Sequence, residues 1–301
     1  MNKNSLLFNF LIIISMVIWG GSWVSAKAIS GIAGPLSLTF LRFIVSVIFF
    51  IPLVIFTKTN LKISKNKIKF LLLGSISMGI YFLLFFKGLE NGYANIGGVF
   101  VTSLIPIYTL LIGKFFMKRS FSLIDYIGVT IGLIGGLIII RFWDITLENL
   151  LNSGNIYFII CPLLWALVTI SSEKMGKENS SIAFSFYCHI ASSIFFLFFI
   201  DRSIINVFNL GIFFWGNIFY LSVISSIIAT TLYFYSTTKI NSYRTSVYTF
   251  IVPTSSLIMS MVFLKEKPEI STLVGGALSI LATILINYKF SLAKNPIRLQ
   301  K

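Results

Sequence analysis

The stretch GGVFVTSLIPIYTLLIGKFF (97–116) and the stretch RTSVYTFIVPTSSLIMSMVFL (244–264) decide how this chain folds. Each is apolar over about 20 residues, the length that crosses a bilayer as a helix. Small and hydroxylic residues flank an interior proline at the spacing i, i+4, i+7, i+11, which puts them on one helical face. The four pairs, each 147 positions apart, are Thr102 with Thr249, Pro106 with Pro253, Thr109 with Ser256, and Gly113 with Ser260. This match indicates an internal repeat.

Further matches at nearly the same offset extend the repeat on both sides of the proline stretches. Trp19 matches Trp165 at an offset of 146. Two ladders of small residues have the spacing that lets membrane helices approach closely, so we assign them a packing role and no ligand. These ladders are Gly128, Gly132 and Gly136 in the first half, and Gly275, Ser279 and Thr283 in the second.

The composition excludes a soluble domain. Hydrophobic residues make up 56% of the 301 residues, charged residues only 11%, and the mean hydropathy is +0.93. A soluble domain carries roughly a quarter charged residues, so lipid must surround this chain. The two cysteines, Cys161 and Cys188, lie in apolar runs without metal-ligand spacing and are expected to be small buried hydrophobes.

The hydropathy pattern predicts ten spans and leaves no room for a soluble domain. The runs are continuous rather than alternating, which excludes β-barrel strands. The first run resembles a signal peptide, but its counterpart in span six favours a mature helix. The predicted spans are Leu6–Ala26, Leu36–Thr57, Phe70–Leu89, Gly97–Phe116, Ser122–Arg141, Asn155–Ser172, Ile182–Ile200, Gly211–Ser236, Arg244–Leu264 and Ile270–Lys289.

Five spans per half make the second half enter the bilayer in the opposite orientation. We therefore expect an all-α integral membrane protein of ten transmembrane helices, arranged as two five-helix inverted repeats over residues 1–145 and 146–301. Inverted repeats are typical of secondary transporters, in which the substrate site lies near the midplane between the halves.

The positive charges predict the orientation of the chain in the membrane. The net charge is +15, and most of the 24 Lys and Arg residues fall in segments on the same side as the N-terminus. Five lysines lie between spans two and three alone. By the positive-inside rule, both termini are expected in the cytoplasm. The basic excess then reports topology and attraction to anionic lipid, with nucleic-acid binding a remote alternative.

Several short motifs resemble the EamA family of the drug/metabolite transporter superfamily, and they cover essentially the whole chain. They are Trp19-Gly20-Gly21-Ser22-Trp23 followed by Lys27, then Pro35 and Arg42, then Pro106 and Pro253, and Leu264-Lys265-Glu266. The resemblance implies an inner-membrane exporter or exchanger of small metabolites, with a central cavity lined by spans one, three, four, six, eight and nine. Span four of the family usually also ends in Glu, whereas the position matching Glu266 here is Arg119.

Charged or titratable residues inside spans are functional candidates because burying them in lipid is costly. Arg42 lies seven residues after Pro35, roughly 10 Å into its span. It is either a structural anchor to carbonyl groups or a site that contacts an anion. His189, the only histidine, is either hydrogen-bonded to a neighbouring helical turn or a proton-coupling residue.

Aromatic and hydroxylic residues on the expected cavity spans are the candidates for substrate binding. An amphipathic ring can contact an apolar metabolite while its polar atom forms a hydrogen bond. For any single residue, packing or a place at the membrane interface is the alternative. The candidates are Trp19, Trp23, Tyr81, Thr102, Thr109, Trp165, Tyr233, Tyr248 and Ser256.

The repeat also predicts two ionic gates. Lys27 lies eight residues after Trp19, and Glu173 lies eight residues after Trp165. Arg119 and Glu266 are the matched residues 13 positions after the two prolines. Lys27 with Glu266 would close the outer mouth, and Glu173 with Arg119 the inner one. The alternative is that all four are ordinary interfacial charges.

The pattern as a whole favours a secondary transporter, and the resemblance to the EamA family implies that it exports a small organic metabolite such as an amino acid or related amphiphile. An importer or nucleotide-sugar-type exchanger is the alternative within the class, and a channel or non-transporting scaffold the alternative outside it. No P-loop, GxSxG or HExxH motif is present, so we expect no enzyme activity, cofactor or metal. The expected partners are a small-molecule substrate and the lipid bilayer, without nucleic acid, and a homodimer is left open.

Overall fold

The computed structural model describes residues 3–92, 94–146, 154–176, 180–200, 202–264 and 269–293. Within these ranges the chain is helical and contains no strand. The helices are α1 Lys3–Ile29, α2 Pro35–Phe56, α3 Ile68–Asn91, α4 Ala94–Phe115, α5 Leu123–Ile139, α6 Tyr157–Met175, α7 Ser181–Leu197, α8 Ile212–Ile240, α9 Ser242–Val247, α10 Ile251–Leu264 and α11 Ile270–Ala293.

The helices follow the apolar runs because a backbone in lipid must satisfy its own hydrogen bonds. Seven described helical stretches are long and apolar enough to cross a membrane, and α5 and α7 are shorter apolar helices. Pro35 begins α2, where its missing N–H removes no helical bond. The Asp125 carboxylate accepts from the Ser122 backbone N–H at 2.8 Å and so caps α5. The expectation of an all-helical, multi-pass membrane protein is confirmed.

The predicted ninth span, Arg244–Leu264, differs from the structure. This segment begins with the short helix α9, passes through the 3₁₀ turn Tyr248–Phe250, and continues as α10. A 3₁₀ residue advances about 120° around the axis and an α-helical residue about 100°, so three 3₁₀ residues rotate the following face by about 60°. Residues before and after the turn therefore do not share the face that regular α-helical spacing predicts.

Helix α8 contains a second irregular segment, the π-helical stretch Tyr220–Ala229. Two side chains follow its wider turn, because the Ser226 hydroxyl donates to the Leu221 carbonyl at 2.9 Å and the Thr230 hydroxyl to the Ser225 carbonyl at 3.0 Å. Both bonds span five residues. π-Helical segments inside α-helices are frequent at functional sites.

Small residues let α5 and α11 pack closely, in the most extensive contact between any two of the described helices. A Cβ atom on Gly135 would come within 2.7 Å of the Gly275 carbonyl oxygen, and one on Gly275 would in turn collide with the Gly135 carbonyl oxygen. Ile286 of α11 fills the space next to Gly128. The ladder glycines Gly128, Gly132 and Gly136 lie against the side chains of Ile286, Phe250 and Ser103, which confirms the packing role predicted for them.

Candidate functional site

A narrow cavity lies among α1, α2, α3, α4, α6 and α8. Its aromatic lining consists of Trp19, Trp23, Tyr81, Phe82, Phe85 and Trp165. Its polar lining consists of Ser22, Arg42, Thr102, Ser225 and Thr230. The volume of the cavity is about 30 Å³, which is enough for about two water molecules. A metabolite therefore requires the cavity to widen.

Five of the predicted rings lie at or beside this cavity, and all but Trp23 form one cluster. Trp19 and Trp165, the matched tryptophans of the two halves, lie with ring centroids 5.2 Å apart and rings nearly perpendicular. Tyr81 lies 4.7 Å from Trp165, and Tyr233 lies 4.8 Å from Trp19. The Tyr233 hydroxyl is hydrogen-bonded to that of Thr169 at 3.0 Å. Tyr233 is not among the residues that line the cavity, so it packs against the ring of Trp19 without lining the cavity itself.

Arg42 is the charged side chain among the described residues that line the cavity, and it is 2% exposed. Its Nε donates to the Ser226 hydroxyl at 3.0 Å, and its Nη2 donates to the Ser225 hydroxyl at 3.2 Å. The guanidinium carbon lies 4.0 Å from the centroid of the Phe82 ring, a cation–π contact. Nη1 has no hydrogen-bond partner among the described residues.

The proline faces contact each other at one matched pair. The Thr249 hydroxyl donates to the Thr102 carbonyl at 2.6 Å. Thr102 lines the cavity, but Thr109 and Ser256 are not among the residues that line it. The Thr109 hydroxyl donates to the Ile105 carbonyl at 2.8 Å, and the backbone of Ser256 packs on Gly20 of α1.

Tyr248 also lies away from the cavity. Its hydroxyl donates to the Asn9 side-chain oxygen at 3.0 Å, which joins the 3₁₀ turn to α1. The turn changes the direction in which this part of the helix presents its side chains, so the position of Tyr248 does not follow from α-helical spacing.

His189 is fully buried beside the rings of Phe43 and Phe50, at centroid distances of 5.4 and 5.3 Å. Its Nδ1 is bonded to the Ser185 carbonyl at 2.7 Å, one helical turn earlier. This is the hydrogen bond to a neighbouring turn that the sequence offers as the alternative to proton coupling.

Arg119 and Glu173 form the ion pair that the repeat predicts, with Nη2 and Oε1 2.5 Å apart. Glu173 Oε2 also accepts from the Ser242 backbone N–H at 2.8 Å, and Arg119 Nη1 donates to the Ser242 hydroxyl at 3.3 Å. The pair thus ties the end of α4 and the end of α6 to the start of α9. We call this group of three residues the Arg119 mouth.

Lys27, at the C-terminal end of α1, has backbone carbonyls as its hydrogen-bond partners. Its ammonium donates to Leu89 at 2.7 Å and to Gly92 at 2.9 Å, where α3 ends. A cation at a helix C-terminus is favourable because the last carbonyls are unpaired and the helix dipole is negative there. Glu266, the predicted partner, lies outside the described residues.

Sequence reasoning did not assign Ser225, Ser226 and Asp125 to any site. Asp125 Oδ1 lies 3.2 Å from Arg244 Nη2, and the Arg244 guanidinium also donates to the Ile286 carbonyl of α11. The signal for the serines is visible in the sequence as adjacent hydroxyls inside an apolar span.

The described residues contain no group of three or more His, Cys, Asp and Glu arranged to hold a metal ion.

Comparison with known proteins identifies the class. The model of the EamA-like transporter family matches residues 6–141 and again residues 152–288. This chain therefore belongs to the EamA-like transporter family, and the resemblance inferred from the short motifs is confirmed.

Relatives from distant organisms are similar over most of their length. The uncharacterized transporter YyaM of Bacillus subtilis is 23% identical, over 88% of each chain. An uncharacterized transporter of Buchnera aphidicola subsp. Schizaphis graminum is 25% identical over the full length of both. The WAT1-related protein At3g02690, chloroplastic, of Arabidopsis thaliana is 23% identical over 90% of this chain and 67% of its own.

The fold is similar to a solved one. A solved crystal structure superposes on this chain with a TM-score of 0.74. The match covers 98% of this chain and 99% of the other, at 17% sequence identity. At this identity the likeness concerns the fold alone.

Proposed function

We propose that this protein is a secondary transporter that exports a small organic metabolite, an amino acid or related amphiphile, by alternating access. The moving parts are the two halves, residues 1–145 and 146–301, which form inverted repeats of five spans each. The protein sits in the cell membrane with both termini in the cytoplasm, and the Arg119 mouth faces the cytoplasm.

One observation carries this proposal: residues at matched positions of the two halves meet each other. The Trp19 and Trp165 rings contact each other beside the cavity, with centroids 5.2 Å apart. The Thr249 hydroxyl donates to the Thr102 carbonyl at 2.6 Å. Two copies related by a two-fold axis bring matched residues together only near that axis. Inverted-repeat transporters bind substrate at this boundary.

The Arg119 mouth supports alternating access from a second direction. Its ion pair joins α4 of the first half to α6 of the second, so opening this end requires the pair to separate. A partly exposed pair contributes only about 0–1 kcal/mol, which is small enough to break and large enough to bias two conformers.

The experiment begins with metabolites in the medium of overexpressing and deletion strains. We expect at least one organic metabolite to be enriched outside overexpressing cells. Its flux in proteoliposomes should saturate with concentration and be accelerated by the same metabolite on the opposite side. Trp165→Ala should reduce this flux about tenfold or more, because the ring lines the cavity, whereas the exposed Trp143→Ala should not.

Other results identify the alternatives. Flux that rises linearly with concentration and shows no acceleration would indicate a channel. Depletion of a metabolite from the medium would indicate an importer, and no flux at equal expression would indicate a scaffold. Equal effects of the two tryptophan variants would remove the cavity from the transport path.

A further inference from the structure

The donors of Arg42 exceed the acceptors that the protein offers them. A guanidinium has five N–H groups, and the Ser225 and Ser226 hydroxyls take one each. Nη1 has no partner among the described residues. Both Nη1 hydrogens and the second Nη2 hydrogen remain, and these form the end of the guanidinium fork that matches the two oxygens of a carboxylate.

The charge of Arg42 is likewise unbalanced within the described chain. No Asp or Glu of the described residues forms an ion pair with it. Ring faces and serine hydroxyls soften the cost of burying a cation, but they leave the charge itself uncompensated. Lys27 and Arg244, by contrast, have helix-end carbonyls and a carboxylate as partners.

We propose that Arg42 is the anion-binding group of the cavity and that the transported metabolite is an organic monocarboxylate. That the ligand is transported rests on the proposed function, whereas the binding of a carboxylate to Arg42 does not. The carboxylate accepts from Nη1 and Nη2, while Ser225 and Ser226 hold the guanidinium in place from the π-helical segment of α8.

The rest of the cavity restricts the body of this ligand. Six of the twelve described residues that line the cavity are aromatic, so a flat apolar body would contact ring faces and edges. Among the described residues that line the cavity, no carboxylate is present to pair with an ammonium group. Among the amino acids and related amphiphiles of the proposed function, a simple aryl carboxylate therefore fits better than the corresponding amino acid.

The test uses the purified full-length protein in a nonionic detergent with radiolabelled benzoate at neutral pH as the probe. Unlabelled phenylacetate should compete with benzoate, whereas benzamide, the uncharged isostere, should compete at least about tenfold more weakly. Phenylalanine should compete more weakly than phenylacetate, and benzylamine should not compete. Potassium sulfate tests whether any anion binds the site. It should displace benzoate no better than potassium chloride does at the same ionic strength.

Variants locate the effect at Arg42. Arg42→Gln should abolish the preference for benzoate over benzamide, and Arg42→Lys should keep part of it, because a lysine retains the charge without the planar fork. The control is Arg141→Gln, at an exposed arginine outside the cavity, which should bind benzoate as the wild type does. Thermal unfolding of each variant establishes that it is folded.

Each contrary result overturns a stated part of this inference. Absence of benzoate binding to the wild type, or equal competition by benzamide, removes the anion site without involving any variant. If Arg42→Gln still prefers benzoate over benzamide, Arg42 is not the anion-binding group. If sulfate competes fully, the site does not require an organic ligand. Selective benzoate binding without flux in proteoliposomes would leave the site standing and refute the proposed transport. Flux of an uncharged metabolite, with no benzoate binding, would do the reverse.

Discussion

Two arginines inside the helical bundle have opposite surroundings. Arg244, between α5, α9 and α11, has the Asp125 carboxylate at 3.2 Å and the Ile286 carbonyl as partners. Arg42, in the central cavity, has two serine hydroxyls and a ring face, and its Nη1 has no partner among the described residues. Arg42 is buried and Arg244 is partly buried, and the main difference lies in what the protein supplies as counter-charge.

This difference separates a structural charge from a functional one. A buried ion pair is complete in the protein alone, and removing one partner leaves the other charge buried without compensation. An arginine without an anion is complete only with a ligand. Burial of a charge inside a membrane protein therefore does not by itself identify a site, whereas burial without a counter-charge does so when a cavity lies beside it.

The largest effect is expected at the structural pair. Asp125→Asn keeps the shape of the side chain but removes the charge opposite Arg244, so it should lower the free energy of unfolding by about 3–5 kcal/mol. The measurement is thermal or denaturant unfolding in detergent. Ser122→Ala is the control, because it removes the hydroxyl that bonds to Asp125 and leaves the ion pair in place. Equal losses in the two variants would mean that the cap rather than the charge matters.

The Arg119 mouth should show a smaller effect on stability and a larger one on transport. Glu173→Arg or Arg119→Glu alone brings like charges together and should slow export of the metabolite several-fold by shifting the balance of conformers. The double reversal should recover part of the rate, the rest being lost because the introduced guanidinium cannot accept from the Ser242 N–H. A double variant no better than the worse single variant, at comparable expression, would exclude a gating contact.

The sequence predicts the fold through hydropathy and through the repeat offset, since both depend only on regular helices. The offset also places Arg119 with Glu173 and Trp19 with Trp165, and both pairs are in contact. These residues lie in regular helices or close to their ends. Regular spacing is the condition under which arithmetic along the chain corresponds to geometry in space.

The same arithmetic is insufficient where the helices are irregular. Ser225 and Ser226 lie in the π-helical stretch, where each turn holds more residues than α-helical spacing assumes. Tyr248 lies in the 3₁₀ turn and Ser256 follows it. The partners of Arg42 and the true orientation of Tyr248 therefore depend on distortions that apolar periodicity does not encode.

The smallest effect is expected at Arg141, which follows α5 and is paired with Asp144 and Glu269 at the surface. Its hydrogen bond to Glu269 and the charge of Asp144 raise the pKa of Arg141. Exposed pairs are screened by solvent and salt, so Arg141→Gln should leave both the unfolding transition and export unchanged. A clear loss of stability in thermal unfolding would show that exposure is a poor guide to the contribution of a charge here.

Thermal unfolding of Arg42→Met and Arg244→Met, measured side by side without ligand, tests the central comparison most directly. Replacing an uncompensated buried charge by an apolar side chain of similar length removes a desolvation cost, so Arg42→Met should unfold at or above the temperature of the wild type. Arg244→Met leaves Asp125 buried without its ion-pair partner, so it should unfold at a clearly lower temperature. If Arg42→Met is destabilised as much as Arg244→Met, Arg42 is a structural anchor and the cavity holds no arginine reserved for an anion.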